Sequence, residues 1–324
     1  MGVKNTLLPL RVCPLESLER LIHHFDQPFA DPSAIPSFEI SRLARQNVTV
    51  VLNGDGGDEV FAGYRRHLAT HHLHRSSWLP SGAIAVLSKL SGRFAKKRRS
   101  WLGFAERFAR GLSMSTGERY LVWSTDMLRE EEKKISWRGR SMKPTEEWIE
   151  SLRPNGLSPL DSLLRTELKI HFLSMLLVKM DMATMFSSLE ARSPMLDHKL
   201  AEFAASIPEG FLFKGGRTKS VLRDAYRHHL PPEVVRAKKR GFEIPLESWL
   251  RNELKPILMD TLGQKSARVL SYLDGKLIAE LIDRKVMLDR NWAYIVYSLL
   301  VLELWLRDQE VNQTRASNAS LAVA

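Results

Sequence analysis

The sequence predicts an α/β domain that is mostly helical, and two kinds of pattern support this prediction. Residues 48–52 read Val-Thr-Val-Val-Leu, a short apolar and β-branched run that is typical of a strand buried on both faces inside a parallel sheet. Other stretches repeat their apolar residues at helical spacing, most clearly residues 15–25. With 324 residues, 44% of them hydrophobic, the chain is able to bury a sizeable core.

Further helices are predicted on both sides of the strand. Residues 37–46 precede it, and residues 58–74 follow its loop. Ser158 is an N-cap residue with Pro159 at the first helical position, so a long helix is expected from there to about residue 187. Periodicity also predicts a short helix at 200–207 and helical structure at 277–308, with a core helix from Trp292 to Trp305.

Two regions give a weaker pattern. Residues 76–158 are basic and partly aperiodic, so they are predicted to be a variable helical insertion with helices at 83–90, 102–112 and 118–132. The last residues, 309–324, are predicted to be a disordered tail, which leaves residues 1–308 as one domain.

The loop after the strand is the predicted functional site. It reads Asn53-Gly-Asp-Gly-Gly-Asp-Glu59, and its glycines allow a tight turn that brings backbone N–H groups against a ligand. The helix that follows points its amide dipoles back into the loop, which favours phosphate oxygens, while a carboxylate such as Asp58 is able to hold Mg²⁺. Amides and carboxylate together indicate a nucleotide site.

Composition narrows the class of protein. The single cysteine, Cys13, excludes an intrachain disulfide and a cysteine-based zinc cluster, which favours a cytoplasmic location. No secretory signal is recognised, and the apolar run 294–306 is too short to cross a membrane. The net charge of +11 raises the alternative of a nucleic-acid-binding protein. The basic clusters do not favour it, because their charges are not laid out on a helix with base-reading or stacking residues.

Four segments resemble one protein family. Asn53 to Tyr64 resembles the Ser-Gly-Glu-Gly-x-Asp-Glu-x-Phe-x-Gly-Tyr segment of the asparagine synthetase family, the glutamine-dependent, AMP-forming amidotransferases. Residues 177–197 resemble the family's Lys-x-Asp-x-x-x-Met and Leu-Glu-Ala-Arg-x-Pro-x-Leu-Asp signatures, which is the most specific match. Residues 214–223 and 230–250 resemble its Lys-x-x-Leu-Arg and Arg-x-Lys-x-Gly-Phe segments.

The resemblance implies a truncated PP-loop ATP pyrophosphatase domain of the adenine-nucleotide alpha-hydrolase type, with a short parallel sheet remnant. It also implies ATP and Mg²⁺ as cofactors and a small carboxylate substrate, such as aspartate, that is adenylated and then amidated. Asp58 would ligate the metal, Asp55 would take the place of the loop's functional Glu, and Lys219 would stabilise charge during acyl transfer. The nucleotide-binding residues would be Asn53, Gly54, Gly56 and Gly57, and the pyrophosphate- or substrate-binding residues Lys179, Asp181, Lys238 and Lys239.

Without the resemblance, several of these residues have ordinary interpretations. Lys179 alone would be a solvated helix end, and Lys219 an exposed loop lysine. Glu190 and Arg192 are predicted to form a structural pair that fixes the turn at Pro194.

Two family features are missing from the sequence. Met1 is followed by Gly2 rather than by the glutaminase cysteine, and no Ser-Gly-Gly-x-Asp-Ser pyrophosphate loop precedes residue 25. The expectation is therefore the carboxyl-terminal part of the synthetase domain, dependent on a complementing amino-terminal chain or glutaminase. A homodimer and a catalytically inert binding module of the same fold remain as alternatives.

Overall fold

A computed structural model describes residues 5–75, 108, 111, 114–124, 145–237, 241, 244–283 and 292–323. In chain order, the helices and strands up to the second strand are α1 (Pro14–His24), α2 (Ala34–Arg45), β1 (Val50–Leu52), α3 (Gly57–Val60), α4 (Arg65–Arg75), α5 (Thr116–Ser124), α6 (Thr145–Ser151), α7 (Pro159–Glu167), a π-helix (Leu168–Leu177), α8 (Val178–Met185) and β2 (Glu190–Arg192). The later helices are α9 (His198–Ala205), α10 (Glu209–Leu212), α11 (Ser220–Tyr226), α12 (Pro232–Arg236), α13 (Leu246–Arg251), α14 (Lys255–Asp260), α15 (Gly275–Ile282) and α16 (Trp292–Val323).

The predicted mostly helical architecture with a short parallel sheet is confirmed. β1 and β2 are parallel, and Val51 is the register partner of Ala191. Asn53 N–H donates to the carbonyl of Arg192 at 2.9 Å, so the pairing continues into the loop. The prediction that the strand is buried on both faces is wrong, because Val50 is 40% exposed and Leu52 is 73% exposed. Parallel strands normally have both faces covered, so this exposure is unusual.

The prediction of one continuous helix over residues 58–74 is wrong. The structure has the short helix α3, a turn, and then α4. Ala62 in that turn adopts a left-handed backbone conformation with φ 52°, which a continuous helix does not allow. The break gives α4 a new direction and leaves residues 61–64 free to turn beneath the loop.

The long helix predicted from residue 158 is confirmed, with one difference. The Ser158 hydroxyl accepts a hydrogen bond from the Asp161 backbone N–H at 3.1 Å, as expected of an N-cap. Helical structure continues through α7, the π-helix and α8 to Met185. The sequence pattern did not predict the π-helical segment, and segments of this kind frequently occur at functional sites.

The main hydrophobic core joins the first two helices to the last part of the chain. Its fully buried side chains include Ile35 and Phe38 of α2, Leu254, and Leu300 of α16. The predicted end of the last helix at Trp305 is wrong, because α16 extends to Val323. Residues 309–323, for which the sequence predicts a disordered tail, are therefore helical in the structure.

The remaining predicted elements agree to differing extents. Helix α1 agrees closely with the prediction at 15–25, whereas α2 begins three residues earlier than predicted. The helix predicted at 200–207 is present as α9, and the one predicted at 118–132 is described only as α5. The predicted helices at 83–90 and 102–112 lie outside the described residues, except for residues 108 and 111. None of the helices within the described ranges is both long and apolar enough to span a membrane.

Candidate functional site

The loop between β1 and α3 has the tight turn that its glycines predict. Gly56 has φ 86°, a left-handed conformation that favours glycine. A Cβ atom at Gly56 would lie 2.1 Å from Leu196 Cδ2, so Leu196, in the segment that follows β2, packs directly onto the loop. At Gly54 an added Cβ would have no atom within 4 Å. The loop is therefore held from the side of β2 and open at Gly54.

Hydrogen bonds between the loop and the segment after β2 orient its polar side chains. The Asn53 amide donates to the Asp55 carboxylate at 2.8 Å, and the Ser193 hydroxyl donates to Asn53 Oδ1. Burial raises the pKa of the Asp55 carboxyl above its ordinary value, and the nearby Glu59 carboxylate raises it further against the opposing charge of Lys179. Lys179 is thus close enough to influence this loop electrostatically.

Lys219 reaches the loop from a position more than 160 residues further along the chain. Its Nζ lies 2.9 Å from Asp58 Oδ1, and its side chain is only 24% exposed. The interpretation of Lys219 as an exposed loop lysine is therefore wrong. Its backbone has φ 55°, a conformation that non-glycine residues rarely adopt. Gly63 makes room for this pair, since a Cβ there would lie 1.9 Å from Asp58 Oδ1 and 2.4 Å from Lys219 Cε.

A second lysine is held by the segment that leads into α2. Lys179 Nζ donates to Asp31 Oδ2 at 3.0 Å and to the Ser33 hydroxyl at 2.9 Å. Its side chain is 10% exposed, so the interpretation of Lys179 as a solvated helix end is wrong. Asp181, two residues later, is exposed and forms no ion pair within the described ranges. The structure thus joins Lys179 to the buried side of the site and leaves Asp181 at the surface.

Sequence reasoning missed a buried ionic network beneath the loop. Glu167 accepts hydrogen bonds from the Arg66 guanidinium and lies 2.6 Å from His67 Nε2. Burial alone would raise the pKa of the Glu167 carboxyl, but the positive charges of His67 and Arg66 outweigh it and lower that pKa to about 2. One signal was present in the sequence: Glu167 lies seven residues after Leu160, on the apolar face of the predicted helix.

Tyr64 connects this network to the loop. Its hydroxyl donates to Glu59, and the Arg66 guanidinium carbon lies 3.9 Å from the centre of its ring. Burial and the Glu59 carboxylate both raise the pKa of Tyr64, so the phenol keeps its proton. His171 of the π-helix packs against the same ring edge-on, and burial and then Arg66 lower the pKa of its imidazole to about 4. His171 is therefore neutral near pH 7.

The other predicted residues are placed as follows. Arg192 Nε donates to Glu190 Oε1 at 2.7 Å, so the predicted pair exists, but both side chains are more than half exposed. Lys238 and Lys239 lie outside the described residues. Gly57 faces the site, because a Cβ added to it would lie 3.7 Å from Lys219 Nζ.

Chemically, the site combines two carboxylates on one loop with two buried or half-buried lysines around it. Within the described residues there is no group of three or more His, Cys, Asp or Glu side chains able to form a metal centre by themselves. A cation held by Asp58 would therefore have to bring further oxygen ligands with it, as Mg²⁺ does when it is bound to phosphates. The open position at Gly54 leaves space beside the loop backbone.

Comparison with known proteins gives a consistent result. The family model described as asparagine synthase matches residues 3–307. A glutamine-hydrolyzing asparagine synthetase 1 from Bacillus subtilis is 26% identical over 300 residues, which are 90% of this chain and 45% of that protein. A putative glutamine-hydrolyzing asparagine synthetase from Mycobacterium bovis is 29% identical over 305 residues, 89% of this chain and 44% of its own length. The chain thus spans less than half the length of these relatives.

Proposed function

This chain belongs to the asparagine synthase family, and on that premise we propose that it forms the carboxyl-terminal part of an ATP-dependent, AMP-forming amide ligase. The observation that carries this proposal is the meeting of Lys219 with Asp58 beside the glycine-rich loop. The substrate class is a small carboxylate, with aspartate as the first candidate. The carboxylate would be activated as an acyl-adenylate and then attacked by ammonia.

The loop supplies the nucleotide site in this proposal. Asn53, Gly54, Gly56 and Gly57 would bind the nucleotide through backbone N–H groups and the Asn53 side chain. The tight turn at Gly56 and the open space at Gly54 support that role. Asp58 would hold Mg²⁺, which when bound neutralises phosphate charge and stabilises the leaving pyrophosphate.

The lysines stabilise negative charge. The Lys219 ammonium lies beside the Asp58 carboxylate, next to the proposed phosphate site. A flexible lysine there would stabilise the negative charge that develops on the leaving pyrophosphate. The raised pKa of Asp55 supports a role in contact with the substrate rather than in a permanent ion pair. Lys179, Asp181, Lys238 and Lys239 are proposed to bind pyrophosphate or substrate, and for Lys179 the contact with Asp31 fixes the ammonium in place.

The fold is proposed to be part of a PP-loop ATP pyrophosphatase domain. The sheet has only two strands within the described residues, and its face at Val50 and Leu52 is exposed, which supports the proposal that further strands and a covering layer come from another segment. That segment, on a complementing chain or an amino-terminal extension, would supply the second pyrophosphate-binding loop, and a glutaminase would supply ammonia. A cytoplasmic location follows from this role.

The test separates binding from turnover. Titration calorimetry with ATP and Mg²⁺ is expected to show saturable binding that Lys219→Met weakens and the exposed-residue control Lys214→Met does not. Pyrophosphate release is then measured with ATP, Mg²⁺, aspartate and ammonia, alone and with the complementing segment. Failure of ATP to bind under both conditions contradicts the proposal. Binding without turnover under any complementation favours the inert module of the same fold.

A further inference from the structure

A cavity lies away from the loop, between α4, α5 and α7. Three arginines line it: Arg66 of α4, Arg119 of α5 and Arg153, which follows α6. Thr116 and Tyr120 also contribute to its wall, and no Asp or Glu lines it within the described residues. The cavity volume is ≈ 30 Å³. That exceeds what one water needs but is far too small for a nucleotide.

Arg66 lies between the ionic network and this cavity, and one of its donors is unsatisfied. Its side chain is 10% exposed, and its guanidinium already donates to Glu167 on the side of the ionic network. Its Nη2 atom is buried and has no hydrogen-bond acceptor within the described residues. A buried guanidinium N–H without an acceptor is unfavourable, so a small shift of Arg66 that brings this N–H against a ligand oxygen in the cavity would be stabilising.

Arg119 adds a positive charge that has no ion-pair partner among the described residues, although the Glu150 carboxylate acts on it at longer range. Its guanidinium donates to the carbonyls of Gly111 at 2.7 Å and Met114 at 2.8 Å. Burial lowers the pKa of Arg119, and the like charge of Arg153 lowers it further. Arg153 itself is paired with Glu150, which does not line the cavity. Arg119 and Arg153 both line the cavity and repel each other, and an anion bound in the cavity would relieve that repulsion.

We propose that this cavity is a binding site for a compact oxyanion, with inorganic phosphate as the representative ligand. Three lining guanidiniums, with no lining carboxylate among the described residues, favour an anion over a cation. The volume restricts the ligand to a few heavy atoms. This site is distinct from the proposed nucleotide loop, from which Glu167 and Tyr64 separate it, and it goes beyond the proposed function.

The test is titration calorimetry of the full chain with inorganic phosphate at constant ionic strength maintained with NaCl. Saturable binding at one site is expected, with a loss of affinity of about tenfold or more in Arg153→Gln, because one charged hydrogen-bond partner is removed. Arg119→Gln is the second variant, and circular dichroism checks that each variant is folded. Arg192→Gln, which alters an exposed ion pair, is the matched control and should bind phosphate normally.

Further titrations establish which anions bind and at which site. Sulfate should bind in the same way, and chloride should not compete. Lys219→Met should leave phosphate binding intact, which separates this site from the nucleotide loop. The proposal is overturned if no saturable binding occurs, if chloride competes equally, or if Lys219→Met abolishes binding while both arginine variants retain it. The last outcome would leave the nucleotide site itself supported.

Discussion

The apolar core and the charged cluster under the loop use opposite means to bury side chains. In the core, α1, α2, α13 and α16 pack apolar faces, and the buried Glu303 is satisfied by Val269 N–H and Arg307. Around the loop, by contrast, the buried side chains include four ionisable groups: Glu59, His67, Glu167 and Lys179. Burying apolar surface stabilises a fold, whereas burying charges yields little net stability and demands exact partners. The core therefore maintains the fold, and the cluster fixes the position of the loop.

The largest loss of stability is expected when one charge is removed from the buried ionic network of Arg66, His67 and Glu167. Glu167→Gln leaves the buried Arg66 guanidinium without its counter-charge, so the free energy of unfolding should fall by about 3–5 kcal/mol. Glu190→Gln removes a carboxylate from an exposed pair and should cost less than about 1 kcal/mol. Urea unfolding measures both. Equal costs for the two variants would show that the network is not electrostatically coupled.

A truncation in the apolar core should separate stability from binding. Leu300→Ala opens a cavity at a fully buried position and is expected to cost about 2–5 kcal/mol. Because α16 does not supply the loop, affinity for ATP and Mg²⁺ should be unchanged under conditions where the variant is folded. Val311→Ala, at a half-exposed position of the same helix, should change stability by less than about 0.5 kcal/mol. A fall in ATP affinity in Leu300→Ala would mean that the two regions are coupled.

Two glycine variants test the loop and are expected to change the free energy of unfolding less than the two destabilising variants above. Gly63→Ala places a methyl group against Asp58 and Lys219, so overpacking should cost about 1–3 kcal/mol and separate the pair. Gly54→Ala meets no atom within 4 Å and should leave stability nearly unchanged. If the loop binds nucleotide as proposed, however, the methyl group at Gly54 should weaken ATP binding. Urea unfolding measures the stability of both variants, and calorimetry measures their affinity for ATP. Unaltered ATP affinity in both variants would contradict the assignment of the loop as a nucleotide site.

A pH dependence that originates in the cluster is also expected. The pKa of His171 is lowered from 6.5 to about 4 in the folded protein, so between these values the unfolded chain binds a proton that the folded chain does not. Stability should therefore fall as the pH drops from 6.5 towards 4, by at most about 1.4 kcal/mol per pH unit from this group. The low pKa of Glu167 adds a further loss only below about pH 4.5.

The control is His171→Gln, which removes the imidazole and keeps a polar side chain. Unfolding free energies at pH 7 and pH 5 should differ less in this variant than in the unaltered protein. Identical differences in the two proteins would assign the acid sensitivity to other groups.

Local patterns predicted much of the chain. The apolar spacing of residues 15–25, the N-cap at Ser158 and the strand at 48–52 each depend on near neighbours in the sequence, and each element is present. The glycine-rich loop was likewise recognisable, since the turn at Gly56 requires a residue that accepts a positive φ. The break at Ala62 and the π-helix were not, because neither has a strong local signal.

The sequence by itself determined most of the helical and strand segments, the glycine-rich turn and the family. Only the tertiary structure decided which distant charges meet: Lys219 with Asp58, Lys179 with Asp31, and Glu167 with Arg66. Periodicity records which face of an element is apolar, but an ion pair between residues 100 or more positions apart leaves no pattern in either segment. The partners of a buried charge are fixed by packing, and packing is a property of the whole fold.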